Sequence, residues 1–178
     1  MATPAPMDSA PPAPAFRELY ATHFAFTWRS LRYLGVDGRH LDDAVQEVWV
    51  AVHRRLPDFE GRSDIKTWLF GIALNVQRNL QRAERRRSSL VPLSEELHSS
   101  APDPLLEHEG REAWALVMTF LGTLDAERRT VFVASLIEGL APAETAQVCG
   151  LDVPTVYLRV RALRRAFRAW AAARRGEP

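Results

Sequence analysis

An all-α fold, two small helical domains joined by a flexible acidic linker, is what this sequence predicts, and three observations carry it. Apolar residues recur at steps of three and four in stretch after stretch of the chain. Between Ser88 and Gly110 that periodicity breaks, Pro92, Pro102 and Pro104 interrupt the chain, and acids are concentrated. Beyond it a short helix, a glycine turn and a longer arginine-studded helix make a helix-turn-helix arrangement.

The elements follow in order. Residues 1–15 hold Pro4, Pro6, Pro11, Pro12 and Pro14 among alanines and little that could pack, so a disordered leader is expected. From Phe16, the residues Leu19, Tyr20, His23, Phe24, Thr27, Trp28, Leu31 and Leu34 recur at helical spacing until Gly35 and Gly38 end the pattern. A second helix places Leu41, Ala44, Val45, Val48, Trp49 and Val52 in one apolar stripe and sets Asp43, Gln46 and Glu47 on the opposite face. On the residues alone that polar face is either merely solvated or a docking surface.

After Phe59-Glu60-Gly61-Arg62, Ser63 or Asp64 can cap a third helix with Ile65, Trp68, Leu69, Ile72, Val76 and Leu80 as its stripe. Its other side carries Lys66, Asn75, Arg78, Arg82 and Arg85. Cations three and four residues apart repel in an isolated helix, so a polyphosphate partner explains them better than self-stability. These three helices make an N-terminal domain over residues 16–87.

The linker spans residues 88–110, and a second domain is expected over 111–175. There Ala113, Leu116, Val117, Phe120, Leu121 and Leu124 form one helix, and Asp125 caps another that carries Val131, Phe132, Leu136 and Ile137 to Gly139. Pro142 suits the first position of a short helix ending at Cys149. Gly150 supplies a turn, Asp152 a cap, and a last helix runs from about Val153 to Ala172.

Composition narrows the class. With 47% hydrophobic and 25% charged residues the chain can bury a core, and its 178 residues suffice for two small domains. The net charge of +1 hides two basic patches around an acidic centre. From Arg78 to Arg87 the balance is +4, from Ser88 to Glu112 it is −5, and from Arg159 to Arg175 seven arginines meet no acid. Cys149 is the only cysteine, which excludes an intrachain disulfide. With no apolar run near the ~20 residues of a membrane span and no signal-peptide core, no membrane insertion and a cytoplasmic location are expected.

Catalytic and metal chemistry find no foothold. His23 and His40 near Asp42 and Asp43 fit no ligand spacing, and no Gly-rich phosphate loop or nucleophile motif is present. No enzyme, no metal and no cofactor are therefore expected.

The stretch from Asp42 to Asn75 resembles the second conserved region of the extracytoplasmic-function (ECF) group of bacterial RNA polymerase sigma factors. Asp43, Gln46, Glu47, Phe59, Gly61, Thr67, Trp68, Leu69, Ile72, Ala73 and Asn75 match the pattern over about thirty residues without a gap. The C-terminal part resembles the fourth region of the same family through Leu124, Arg129, Gly139, Leu140, Glu144, Ala146, Gly150, Val153, Thr155, Val156 and Arg159. Together the two cover roughly Phe16 to Trp170, in the family's order.

The resemblance implies a dissociable promoter-specificity subunit with core RNA polymerase and promoter DNA as partners. Asp43, Gln46 and Glu47 would dock on the clamp coiled coil of the largest polymerase subunit, with Val50 adding apolar contact. The loop from Asp58 to Asp64, with Phe59, Arg62 and Ser63, would meet the promoter element near minus ten, where an aromatic edge and a flexible glycine can hold an unstacked base. Phe59 can equally be core. Asn75 and Arg78 would face duplex just upstream, and Arg82, Arg85 and Arg86 would contact phosphate.

The last helix would read the element near minus thirty-five through Thr155, Tyr157, Leu158, Arg159 and Arg161, with Arg164 and Arg165 on the backbone. Family members are often held inactive by an anti-sigma factor, which makes one a candidate partner here. In the family the linker threads along the polymerase toward the RNA exit path, and catalysis would belong to the polymerase.

Departures from the family pattern carry expectations of their own. Tyr157 and Leu158 replace the usual basic and small polar residues, which implies an unusual promoter preference with apolar contact to thymine methyls. Thr145 stands where a large aliphatic residue is usual and would loosen the helix-turn-helix core. Cys149 also replaces an aliphatic residue and is expected to pack as a small hydrophobe rather than act as a redox sensor. Two rivals remain on sequence grounds: a two-domain repressor acting without polymerase, and a protein-binding helical adaptor. Nothing in the chain looks like the dimer interface a repressor needs to match a palindrome, and the adaptor leaves both arginine clusters unexplained.

Overall fold

The computed structural model describes residues 15–88 and 108–175, so the leader up to residue 14 and the linker from 89 to 107 lie outside the described residues. Seven α-helices make up most of the described chain: α1 (Phe16–Tyr33), α2 (Gly38–Arg55), α3 (Ile65–Ser88), α4 (His108–Gly122), α5 (Ala126–Phe132), α6 (Pro142–Cys149) and α7 (Val153–Arg175). No strand occurs among the described residues.

Helices α2, α3, α5 and α7 start where an aspartate side chain can satisfy a free N–H group. The carboxylates of Asp37, Asp125 and Asp152 accept from the amides of Arg39, Arg128 and Thr155 at 2.9, 2.8 and 2.6 Å. At α3 the carboxylate of Asp64 accepts from the Lys66 amide at 2.8 Å, so Asp64 rather than Ser63 takes the capping role. Gly38, expected to end the first helix, instead opens α2, because Asp37 before it supplies the cap.

Helices α1, α2 and α3 pack pairwise on one another. The stripe of α2 is buried as its spacing predicts: Leu41, Ala44, Val45, Val48, Trp49 and Val52. In the C-terminal part, α4, α5 and α7 meet around Phe120, Phe132, Phe167 and Trp170, with ring centroids 5.0 to 6.3 Å apart. Between α5 and α6 the backbone widens into a π turn over Val133–Ile137, where an unbroken α-helix was expected.

The two groups of helices share one core. On α3, Thr67, Phe70 and Leu74 are buried as well as Leu69, Ile72 and Val76 of the expected stripe, whose Ile65, Trp68 and Leu80 are only half-buried, and Gly71 lies beside Val148 of α6. The Thr67 hydroxyl donates to the Glu144 carboxylate at 2.7 Å, and the Ser30 hydroxyl to that of Glu138 at 2.7 Å. The buried Arg32 guanidinium donates to the Val36 carbonyl at 3.2 Å and stacks 5.8 Å from the Trp114 ring. Gly35, at φ +93°, lies against the Arg129 guanidinium, and a Cβ there would collide with it. Arg129 in turn donates twice to the Leu121 carbonyl, at 2.7 and 3.0 Å.

Phe70 has no solvent exposure. Phe70→Ala is expected to cost about 3–5 kcal/mol of stability, through forfeited burial plus an unfilled cavity. Urea denaturation followed by circular dichroism measures it, with the slope unchanged and the midpoint lowered.

Candidate nucleic-acid and partner interfaces

Three surfaces gather the residues singled out in the sequence. The first lies along α2. Because Leu41, Val45, Val48 and Val52 belong to the core, the opposite side of the same helix presents Asp43, Gln46, Glu47 and Val50 outward. Val50 is 42% exposed.

Beside this face runs an open groove of about 600 Å³, lined by Phe16, Tyr20 and Phe24 of α1 and by Gln46, Trp49 and Val50 of α2. Tyr20 and Phe24 were expected in the core stripe of α1, but they are 41% and 36% exposed. Phe26 and Ser30 are buried in their place, since α1 is covered by α2 and α3 on one side and by the C-terminal helices on another. The signal for the groove was available as aromatics four apart, Phe16, Tyr20 and Phe24, whose rings line one edge, mutually tilted, with centroids 5.3 to 6.2 Å apart. A rim of rings beside two acids and an amide suits a helical partner with apolar and basic groups.

The second surface is the loop after α2 together with the outer side of α3. A 3₁₀ turn over Leu56–Asp58 leads to Phe59, whose half-buried ring sits 4.9 Å from that of Trp68. Phe59 is thus partly core and partly at the loop's edge. Arg62 is exposed, Ser63 partly so, and Gly61 before them takes φ +68°. Asn75, Arg78 and Arg82 line the outer side of α3, and the Arg82 guanidinium donates to the Asn79 side chain.

The third surface is α6 and α7. The left-handed Gly150, at φ +69°, closes α6 and turns the chain into α7. Glu144 does two things: one carboxylate oxygen accepts from the Ala141 amide at 2.9 Å as a helix cap, and the other accepts from Thr67. Of the residues expected to read bases, Thr155 is engaged by Asp152, whose carboxylate is held below its ordinary range by hydrogen bonds from Thr155. Arg159 donates to Glu127 at 3.0 Å. Tyr157, Leu158, Arg161 and Arg165 point away from the core.

Thr145 was expected to loosen this unit. It is fully buried, and its hydroxyl lies 3.0 Å from that of Ser135 and 3.4 Å from the Leu140 carbonyl, so its polar group is satisfied rather than stranded. Cys149 is partly buried, and desolvation pushes its thiol up to about 11, against the pull of Arg78 and Arg159. Native protein at pH 8 is therefore expected to alkylate with iodoacetamide on the order of 100-fold more slowly than urea-unfolded protein, because the thiolate is the nucleophile.

Glu138, like Glu144, is a carboxyl where the two helix groups meet. Burial raises it above the ordinary carboxylate range, against the Ser30 hydroxyl bond and the charges of Arg29 and Lys66. For a raised acid, stability is fully present below the unfolded value and is lost as pH rises through the folded one. Glu138→Gln keeps an acceptor for Ser30 and removes the charge. It is expected to raise the urea midpoint at pH 7 and to match the unmodified protein at pH 4.

Similarity to known proteins falls on these same surfaces. The family model for Sigma-70 region 2 matches residues 19–87, and that for Sigma-70 region 4 matches residues 114–167. The chain is 33% identical over 154 residues to the RNA polymerase sigma factor CnrH of Cupriavidus metallidurans, covering 82% of this chain and 81% of that protein. It is 30% identical to the ECF RNA polymerase sigma factor SigC of Mycobacterium tuberculosis, over 80% of this chain and 75% of that one. Among solved structures, CnrH in complex with the cytosolic domain of CnrY aligns with a TM-score of 0.64 at 30% identity, covering 89% of this chain and 88% of that one. The sigma factor RpoE bound to the anti-sigma factor NepR from Bartonella quintana shares the fold at a TM-score of 0.74 and 19% identity, over 86% and 94% of the two chains.

Proposed function

We propose, because this chain belongs to the ECF group of RNA polymerase sigma factors, that it binds core RNA polymerase, recognises specific promoters and helps open them to start transcription. The single observation that carries the reading is the pair of region 2 and region 4 matches, the first laid over the α2 face and the outer side of α3 and the second over α6 and α7. A repressor acting without polymerase is not favoured, since it gives residues 19–87 no task.

In this reading residues 16–87 form the half that docks on polymerase and meets the element near minus ten. Asp43, Gln46, Glu47 and Val50 offer the docking face. Phe59, Arg62 and Ser63 form the loop that receives an unstacked base, and Asn75, Arg78 and Arg82 hold the duplex behind it. Residues 111–175 form the half that meets the element near minus thirty-five, through α7. Residues 1–15 and 88–110 serve as leader and linker. The chemistry of RNA synthesis stays with the polymerase, and the protein works in the cytoplasm.

Promoter engagement also demands movement. Elements about 25 base pairs apart are separated by roughly 85 Å of straight duplex, whereas α3 and α6 are in contact here. The Thr67–Glu144 and Ser30–Glu138 bonds part when both elements are held, together with the Arg32–Trp114 contact and the shared core between the two groups. An anti-sigma factor is the natural regulator, as the complexes of the similar proteins with CnrY and NepR suggest.

Run-off transcription with purified bacterial core polymerase on the DNA upstream of the protein's own operon tests the reading. A discrete start site that appears only when the protein is added supports it. No core-dependent transcript, with the same DNA still bound by the protein alone, would turn the assignment to the repressor.

A further inference from the structure

The reading end of α7 is apolar where a nucleic-acid-binding helix is usually polar. In helix-turn-helix docking the N-terminal residues of the second helix reach the base edges, and later turns lie along the backbone. Of Thr155, Tyr157, Leu158 and Arg159 in the first two turns of α7, two are already engaged inside the protein. Thr155 bonds Asp152 through its side chain as well as through its amide at 2.6 Å, and Arg159 donates to Glu127 at 3.0 Å.

What remains at the tip is Tyr157, 62% exposed, and Leu158, 70% exposed, well above the other exposed large hydrophobic residues. An unsupported leucine on a surface helix is ordinary taken singly. Here it adjoins an aromatic, and one to three turns further on stand the exposed Arg161, Arg164, Arg165 and Arg168. A cationic rail behind an apolar tip complements duplex DNA: the rail meets phosphates, and the tip reaches the floor of the groove. The apolar group that B-form DNA presents in its major groove is the C5-methyl of thymine.

We infer that Leu158, flanked by Tyr157, reads thymine methyl groups in the promoter element near minus thirty-five, and so sets a preference for thymine at one or two positions there. The inference rests on the proposed function and names the base that this helix selects. Deoxyuridine supplies the probe, since it pairs as thymine does and lacks only the methyl.

The test uses holoenzyme assembled from core polymerase and the full chain, on the template where run-off locates the start site. Each thymine of the upstream element is replaced in turn by deoxyuridine, and holoenzyme binding and transcript yield are measured. The expected result is a loss of about fourfold at one or two positions, the value of a single buried methyl-sized group. Leu158→Ala is expected to weaken the thymine template by a similar factor and to erase the thymine–uracil difference, while Tyr157→Phe preserves it. Because Leu158 is largely exposed, its loss does not disturb the fold.

Equal response to thymine and uracil at every position, with normal initiation, overturns the inference and leaves the proposed function standing. A Leu158→Ala protein that loses affinity for core polymerase while keeping the thymine–uracil difference also overturns it, and assigns the tip to a protein partner. No core-dependent start site with the unmodified chain removes the proposed function and the inference together.

Discussion

Replacing Asp43, Gln46 and Glu47 together with alanine is expected to lower core-dependent run-off transcription at least about 100-fold while the fold survives. All three side chains are exposed on α2, and the residues that hold α2 in place lie on its other side. Alanine is also a better helix former than the residues it replaces, so α2 itself is not weakened. The loss arises at the docking face. Three polar or charged groups worth about 1–2 kcal/mol each to a docked partner make a factor of 100 or more when removed together. Co-sedimentation with core polymerase should fall in parallel with transcription, and the urea midpoint should stay within the error of the measurement. Retained polymerase binding in the triple variant would remove the docking role from this face and shift attention to the neighbouring groove of Phe16, Tyr20 and Phe24.

The second large effect is on DNA. Changing Arg161, Arg164 and Arg165 to alanine is expected to make the dependence of log affinity on log salt shallower by roughly 2.7, about 0.9 for each phosphate that no longer meets a guanidinium. Affinity at low salt should fall on the order of 100-fold, and nearly equally for promoter and unrelated duplex, because phosphate binding carries no sequence information. The three guanidiniums are exposed on the outer side of α7, so their removal leaves the core untouched. Fluorescence anisotropy of the full chain on labelled duplex at several salt concentrations gives the slope directly. An unchanged slope would show that α7 does not lie along the backbone and would favour the adaptor reading. The contrast with Leu158→Ala is informative, since that change should alter sequence preference with little effect on the slope.

Much of the helical layout was legible because its causes are local. The α2 stripe from Leu41 to Val52, the caps at Asp125 and Asp152, Pro142 at the head of α6 and the Gly150 turn each depend on residues within a few positions of one another. Family-like patterns then marked where the docking and DNA-facing residues would fall, and Asp43, Gln46, Glu47, Asn75 and Arg161 are all exposed as those roles require. What misled was burial that comes from a distant part of the chain. Tyr20 and Phe24 share the spacing of core residues, yet they rim a groove, while Phe26 and Ser30 are covered. Periodicity tells which residues share a face, and it cannot tell which faces find a neighbour.

By itself, then, the sequence determined the all-α class, the order of the helices, most of their caps and the separation of charge into two basic patches. These follow from backbone hydrogen bonding and side-chain spacing within one or two turns. Tertiary structure alone decided that α3 is buried on two faces, that Thr145 is satisfied by Ser135, and that Glu138 and Glu144 reach Ser30 and Thr67 across 108 and 77 residues. It also decided that Arg159 turns back to Glu127, leaving Tyr157 and Leu158 at the tip of α7. Such pairings depend on which surfaces meet once the chain has folded on itself, and no local pattern of residues encodes the distance between partners so far apart.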